Sequence, residues 1–115
     1  MIREAIDFVE ARLVNVSGPV FTDPATLYAD PLAVLVGVPE LAGRGFGGTF
    51  TVTVPVHVIC AEALTADLRD LMFDLALECA EALEVPTFDL DGWTTPTNQS
   101  ELPAYTMQTT VTLEA

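Results

Sequence analysis

The sequence predicts an α+β domain, an antiparallel or mixed β-sheet with two helices packed on one face, in the order α-β-β-β-α-β-β. Three observations carry this reading. Two stretches place their apolar residues at steps of three and four, the period of an amphipathic helix, near residues 2–16 and 66–83. Two others, Thr49–Cys60 and Leu102–Leu113, alternate apolar and polar residues at the period of a half-buried strand. At 115 residues the chain is one domain, 1–115, with half its residues hydrophobic, enough to bury a core.

The first helix is predicted from Ile2, Ala5, Ile6, Val9, Leu13 and Val16, one stripe over about four turns, closed by Ser17-Gly18-Pro19. A short strand is expected near Thr26–Tyr28 and a stronger one over Leu32–Val38, where the apolar run LAVLV indicates cover on both faces. Residues 39–48 read as a glycine-rich connection at the tip of a long hairpin that projects from the domain body. In the following strand, Phe50, Val52, Val54, Val56, Val58 and Cys60 face one way, and Thr49, Thr51, Thr53, Pro55 and His57 the other. Pro55 cannot donate to a ladder, so the strand should lie at an edge or carry a bulge there.

Thr65 is the expected N-cap of the second helix, and Pro86 its stop. Leu68, Leu71, Met72, Leu75, Ala76, Cys79 and Leu83 form its apolar face. A strand over Phe88–Thr94 and a polar loop over 95–101 lead to the last strand. There Tyr105, Met107, Thr109, Val111 and Leu113 share one side, and Ala104, Thr106, Gln108, Thr110 and Thr112 the other. The sequence ends two residues beyond Leu113, so this strand must be held by insertion into the sheet.

Seventeen acidic residues face four arginines and no lysine, a formal net charge of −13. That balance repels phosphate backbones and anionic membrane surfaces, and no apolar run reaches the roughly 18 residues of a membrane span. Two cysteines outside any CxxC pair, with no signal-peptide pattern at the start, point to a reducing compartment.

The candidate chemical motifs are weak. Gly43-Arg44-Gly45-Phe46-Gly47-Gly48 matches GxGxxG, but a strand follows where a dinucleotide loop needs a helix. At this tip, Arg44 and Phe46 are candidate partner contacts, a cation and an aromatic on a loop. His57 and Cys60 point to opposite faces, with no second pair to complete a metal site. Asp89-x-Asp91-Gly92 reads as a turn at a strand end, since a calcium loop would need a later bidentate glutamate. No catalytic residue, cofactor or metal is therefore expected. The second helix carries Asp67, Asp70, Asp74, Glu78 and Glu81 in one narrow line. Its like-charge neighbours together cost about 1–2 kcal/mol, and Arg69 lies off the line. Such a row is either a solvated face or a surface kept negative for an assembly or for passage of a polyanion.

The amphipathic first helix, the hairpin with its glycine-rich tip, the acidic helix ADLRDLMFDLALECAEAL and the closing strand LPAYTMQTTVTL together resemble tail terminator proteins of long-tailed actinobacterial phages. The resemblance spans the whole chain, and Leu102-Pro103-Ala104-Tyr105 is its most suggestive part. It implies a non-enzymatic virion protein, assembled in the host cytoplasm, that forms a ring, usually hexameric, at the head-proximal end of the tail tube. Such a ring ends tube polymerisation and contacts the tail tube protein and a head-completion or connector protein. DNA passes through its lumen without specific binding. Two other readings stay open. One is a small acidic binding module or DNA mimic acting on a basic protein; the other is an enzyme or ligand-binding protein with a pocket near His57.

Overall fold

The computed structural model describes residues 2–27, 29, 31–45, 47–61, 65–94 and 101–114. Its elements are α1 (Ile2–Arg12), β1 (Val20–Phe21), β2 (Leu32–Val36), β3 (Glu40–Arg44), β4 (Thr49–Cys60), α2 (Ala66–Leu83), β5 (Asp89–Thr94) and β6 (Glu101–Glu114). The fold is α+β with a mixed six-stranded sheet, ordered β1-β2-β4-β6-β5, with β3 alongside β4 as well. The order is thus α-β-β-β-β-α-β-β, one strand more than the sequence periods predict.

The long strands behave as their alternation requires. Val52, Val54, Val56, Val58 and Cys60 of β4, with Met107, Val111 and Leu113 of β6, are buried in one cluster. That cluster also holds Ala5, Val9 and Leu13 of α1 and Met72, Leu75, Ala76, Cys79, Ala80 and Leu83 of α2, so both helices cover the same face. β2 is covered on both sides: Val34 and Val36 join this core, and Leu35 joins a smaller cluster with Ile59 and Ala104 on the opposite face.

α2 begins at Thr65, whose hydroxyl accepts from the Leu68 N–H at 3.2 Å, satisfying one of the donors a helix start leaves unpaired. It ends before Pro86 through Glu84, which takes the left-handed conformation at φ 56°, with the Val85 N–H closing onto the Ala80 carbonyl at 2.9 Å. α1 stops at Arg12, a turn earlier than its apolar stripe. The chain tightens there into three-residue bonds, Leu13 N–H to the Glu10 carbonyl and Val16 N–H to the Leu13 carbonyl, in a stretch of valines and an asparagine that favour helix poorly.

Three local expectations are corrected. The short strand is Val20–Phe21, parallel to β2. Thr26 instead sits in a turn where the Asp23 carboxylate accepts from the Ala25 N–H, and Tyr28 lies outside the described residues. Residues 40–44, read as loop, form β3, paired with β4 from Glu40↔Thr53 to Arg44↔Phe50 with a bulge between Leu41 and Gly43. Leucine and arginine there adopt strand geometry because β4 offers them a ladder, a non-local gain that no local pattern records. The connection itself shrinks to 45–48, where Gly47 and Gly48 take φ of 80° and 84°. Asp91 and Gly92, read as a turn, lie inside β5 opposite Ala104 and Pro103.

Pro55 occupies neither an edge nor a bulge of its own strand. β4 is central, and its register with β6 runs unbroken from Thr49↔Glu114 to Ile59↔Ala104. The accommodation lies in its neighbour. Val36 pairs with Val56 and Glu40 with Thr53, so three residues, 37–39, stand opposite two, 54–55. The Gly37 N–H donates to the Pro55 carbonyl at 2.7 Å, and the side on which proline lacks an N–H faces the break between β2 and β3. A Cβ on Gly37 would come within 2.8 Å of the Pro55 ring, so the glycine is required by close approach.

Candidate interaction surfaces

Two surfaces stand out, on opposite sides of the molecule. The first is the acidic row of α2. At about 100° per residue, Asp67, Asp70, Asp74, Glu78 and Glu81 lie away from buried Met72, Ala76 and Cys79. All are exposed except Glu78, which is half-buried. Glu78 accepts a hydrogen bond from Ser17 Oγ at 2.7 Å. Beside it, an open cleft of about 490 Å³ is lined by Pro19, Pro31, Leu32, Leu71, Asp74 and Leu75, among others. Leu71 remains 55% exposed there, an apolar side chain set among carboxylates.

The C-terminal end of α2 is compensated from another element. α2 has no basic residue in its last turn, but Arg12 of α1 reaches across to it. Its Nε donates to the Ala82 carbonyl at 3.1 Å, and its guanidinium lies 3.4 Å from the Glu84 carboxylate. A cation placed there opposes the negative end of the helix dipole. The spacing along α2 itself offers only Arg69, because the Arg12 contact joins residues seventy positions apart.

The second surface is the open face of the sheet. Across β4 and β6, Thr51 stands opposite Thr112, Thr53 opposite Thr110, Pro55 opposite Gln108 and His57 opposite Thr106. These side chains are half-buried or exposed, and neither helix covers them. At one end the small cluster of Leu35, Ile59 and Ala104 is joined by Phe21, Leu27, Trp93 and Leu102. His57 separates the two zones. Its Nδ1 lies 3.0 Å from Thr106 Oγ1. Burial lowers its pKa from 6.5, and the Asp91 charge pulls it part of the way back.

The cysteines face the helix-covered core, and neither forms a disulfide. Burial, with a smaller contribution from the Glu78 charge, pushes the Cys79 thiol up to about 12, which keeps it protonated and a poor nucleophile. Among the described residues no group of three or more His, Cys, Asp or Glu side chains is placed to hold a metal ion. The GxGxxG stretch runs from the end of β3 to the start of β4, so a strand follows where a pyrophosphate loop needs a helix N-terminus. No described helix is long and apolar enough to cross a membrane.

Of the two residues expected to make contacts at the hairpin tip, Arg44 is exposed at the end of β3, and Phe46 lies outside the described residues. The ion pairs among described residues are Arg3–Asp7 and Arg12–Glu84, so Arg44 has no carboxylate partner there. The acidic row and Arg44 are thus not brought together within one chain. The chain matches no protein-family model and no curated protein.

Proposed function

We propose that this chain is a structural virion protein of a long-tailed phage. It forms a ring, six-fold by the resemblance, at the head-proximal end of the tail tube, where it ends tube polymerisation and joins the tail to the head connector while DNA passes through. The observation that carries the reading is the distribution of charge. One side of the molecule presents a row of carboxylates and the other a threonine-rich face flanked by Asp89 and Asp91 of β5, while the four arginines are scattered over α1, β3 and α2. Whichever side lines a channel, no cluster of cations is present to hold phosphates, so a polyanion can slide past. Six copies would carry six times the charge of one.

The acidic row belongs on the lumen or on open surface in this assembly. Burying five unpaired carboxylates against a neighbour would cost several kcal/mol each. The same exposed row favours one other reading, an acidic module or DNA mimic that occupies a basic protein. Light scattering and electron microscopy of the purified protein separate the two. Closed rings with a central channel support the virion reading. A monomer or dimer that forms no rings and binds a basic protein only at low salt would replace it with the second.

A further inference from the structure

β6 is paired on one side from Ala104 to its end and on the other only over its first residues. β4 covers Ala104 to Glu114, whereas β5 covers Glu101 to Thr106. Among the described residues, no strand meets the outer side of β6 beyond that point. The direction of its main-chain groups follows from Pro55. The Pro55 carbonyl accepts from Gly37, so it turns away from β6, and Pro55↔Gln108 is a pair without mutual hydrogen bonds. Gln108 therefore points its N–H and C=O outward, and the two-residue period gives Thr110, Thr112 and Glu114 the same direction. The edge contains no proline, lysine or bulge over these residues, the usual devices that keep an edge from pairing.

β3 is the opposite edge of the same three-stranded unit. It is exposed throughout, and Leu41 and Arg44 lie on it level with Val52 and Phe50 of β4, hence with Val111 and Leu113 of β6. Both β3 and β6 run antiparallel to β4, so β3 of one copy can extend β6 of the next only as a parallel neighbour. We propose that copies of this chain join head to tail by that pairing, β3 of one beside residues 108–114 of β6 of the next. Two features favour a second copy as the occupant. Without any vertical shift, Leu41, 61% exposed, comes beside Val111 and Leu113 on the same face. The parities also interlock: in a parallel ladder, a residue opposite Leu113 bonds to the Thr112 carbonyl and the Glu114 N–H, the groups that point outward. A contact between two different edges is heterologous, the kind that closes rings. The inference rests on the ring reading and specifies its subunit contact.

Two variants test it. Thr110→Pro removes an outward N–H that the monomer does not use, so its melting temperature should stay near that of the parent chain, while self-association weakens at least about tenfold. Thr109→Pro, whose N–H enters the β4 ladder, should unfold instead. In a second arm, Gly43→Cys with Thr112→Cys places two thiols level on the open face of neighbouring copies. Within one chain they are two strands apart, about 9.5 Å, too far to bridge. Oxidation should give a ladder of cross-linked species ending at the ring, and each single variant at most a dimer. Rings that persist in Thr110→Pro, or a double variant in rings that gives no ladder, would overturn this contact while leaving the ring reading intact. A parent chain that stays monomeric at millimolar concentration, with no ladder, would overturn both.

Discussion

On the helix-covered face of the sheet, Val54, Val56, Val58 and Cys60 are fully buried, whereas their neighbours on the other face, Thr51, Thr53, Pro55 and His57, keep part of their surface in water. One strand serves both faces, and the two-residue period alone separates them. The covered face is filled by aliphatic side chains from two helices and three strands. The open face is polar or neutral except for the patch around Ile59 and Ala104. Stability should therefore reside on the first face and contact on the second and along its edges.

The largest expected effect breaks this contrast directly. Met107→Ala, beneath the helices, should cost about 2–5 kcal/mol of unfolding free energy, whereas Gln108→Ala, the next residue on the open face, should stay within about 0.5 kcal/mol. Urea titrations of the two variants measure the difference, and equal losses would refute the assignment of stability to one face.

Gly37→Ala should come next, at about 1–3 kcal/mol. The added methyl would approach the Pro55 ring and lie 3.3 Å from His57 Nε2, so the slot that accommodates the proline has no room for it. A melting temperature unchanged by this substitution would mean that the β2–β3 break is slack.

Neutralising Asp70 and Asp74 to asparagine relieves neighbouring repulsions on α2 worth roughly 0.2–0.5 kcal/mol each. Thermal melts at low salt should show stability unchanged or slightly raised, with the gain disappearing at high salt. A clear loss would show that the row is held by partners.

The smallest effect concerns pH. His57 is harder to protonate in the folded state than in the unfolded chain. Between 6.5 and its lowered folded value the unfolded chain binds more protons, so stability falls as pH drops through that window. His57→Gln should flatten that part of the loss relative to the parent chain, as read from urea midpoints between about pH 7 and about pH 5. An identical pH dependence in both proteins would remove His57 from the account.

Much of this architecture was legible in the residues because its causes are local. The steps of three and four in Leu68, Met72, Leu75, Cys79 and Leu83, the hydroxyl of Thr65 and the stop before Pro86 place α2 within its observed bounds. Alternation placed β4 and the faces of β6, and the charge balance and the acidic row are properties of composition and spacing. The candidate contacts were only half accessible, since Arg44 is located at an exposed edge while Phe46 lies outside the described residues.

By itself, then, the sequence determined two helices, two long strands, which side chains of each strand share a face, and a surface too acidic to grip a polyanion. The tertiary structure alone decided what depends on neighbours distant in sequence. β3 is a strand because β4 offers it a ladder. Pro55 sits in a central strand because β2 and β3 part beside it. Arg12 answers the C-terminal end of α2 because α1 packs against the same sheet face. The free edge of β6 exists because β5 is shorter than its partner. Periodicity records which way a side chain points, but hydrogen-bond partners across a sheet are settled only when the strands meet.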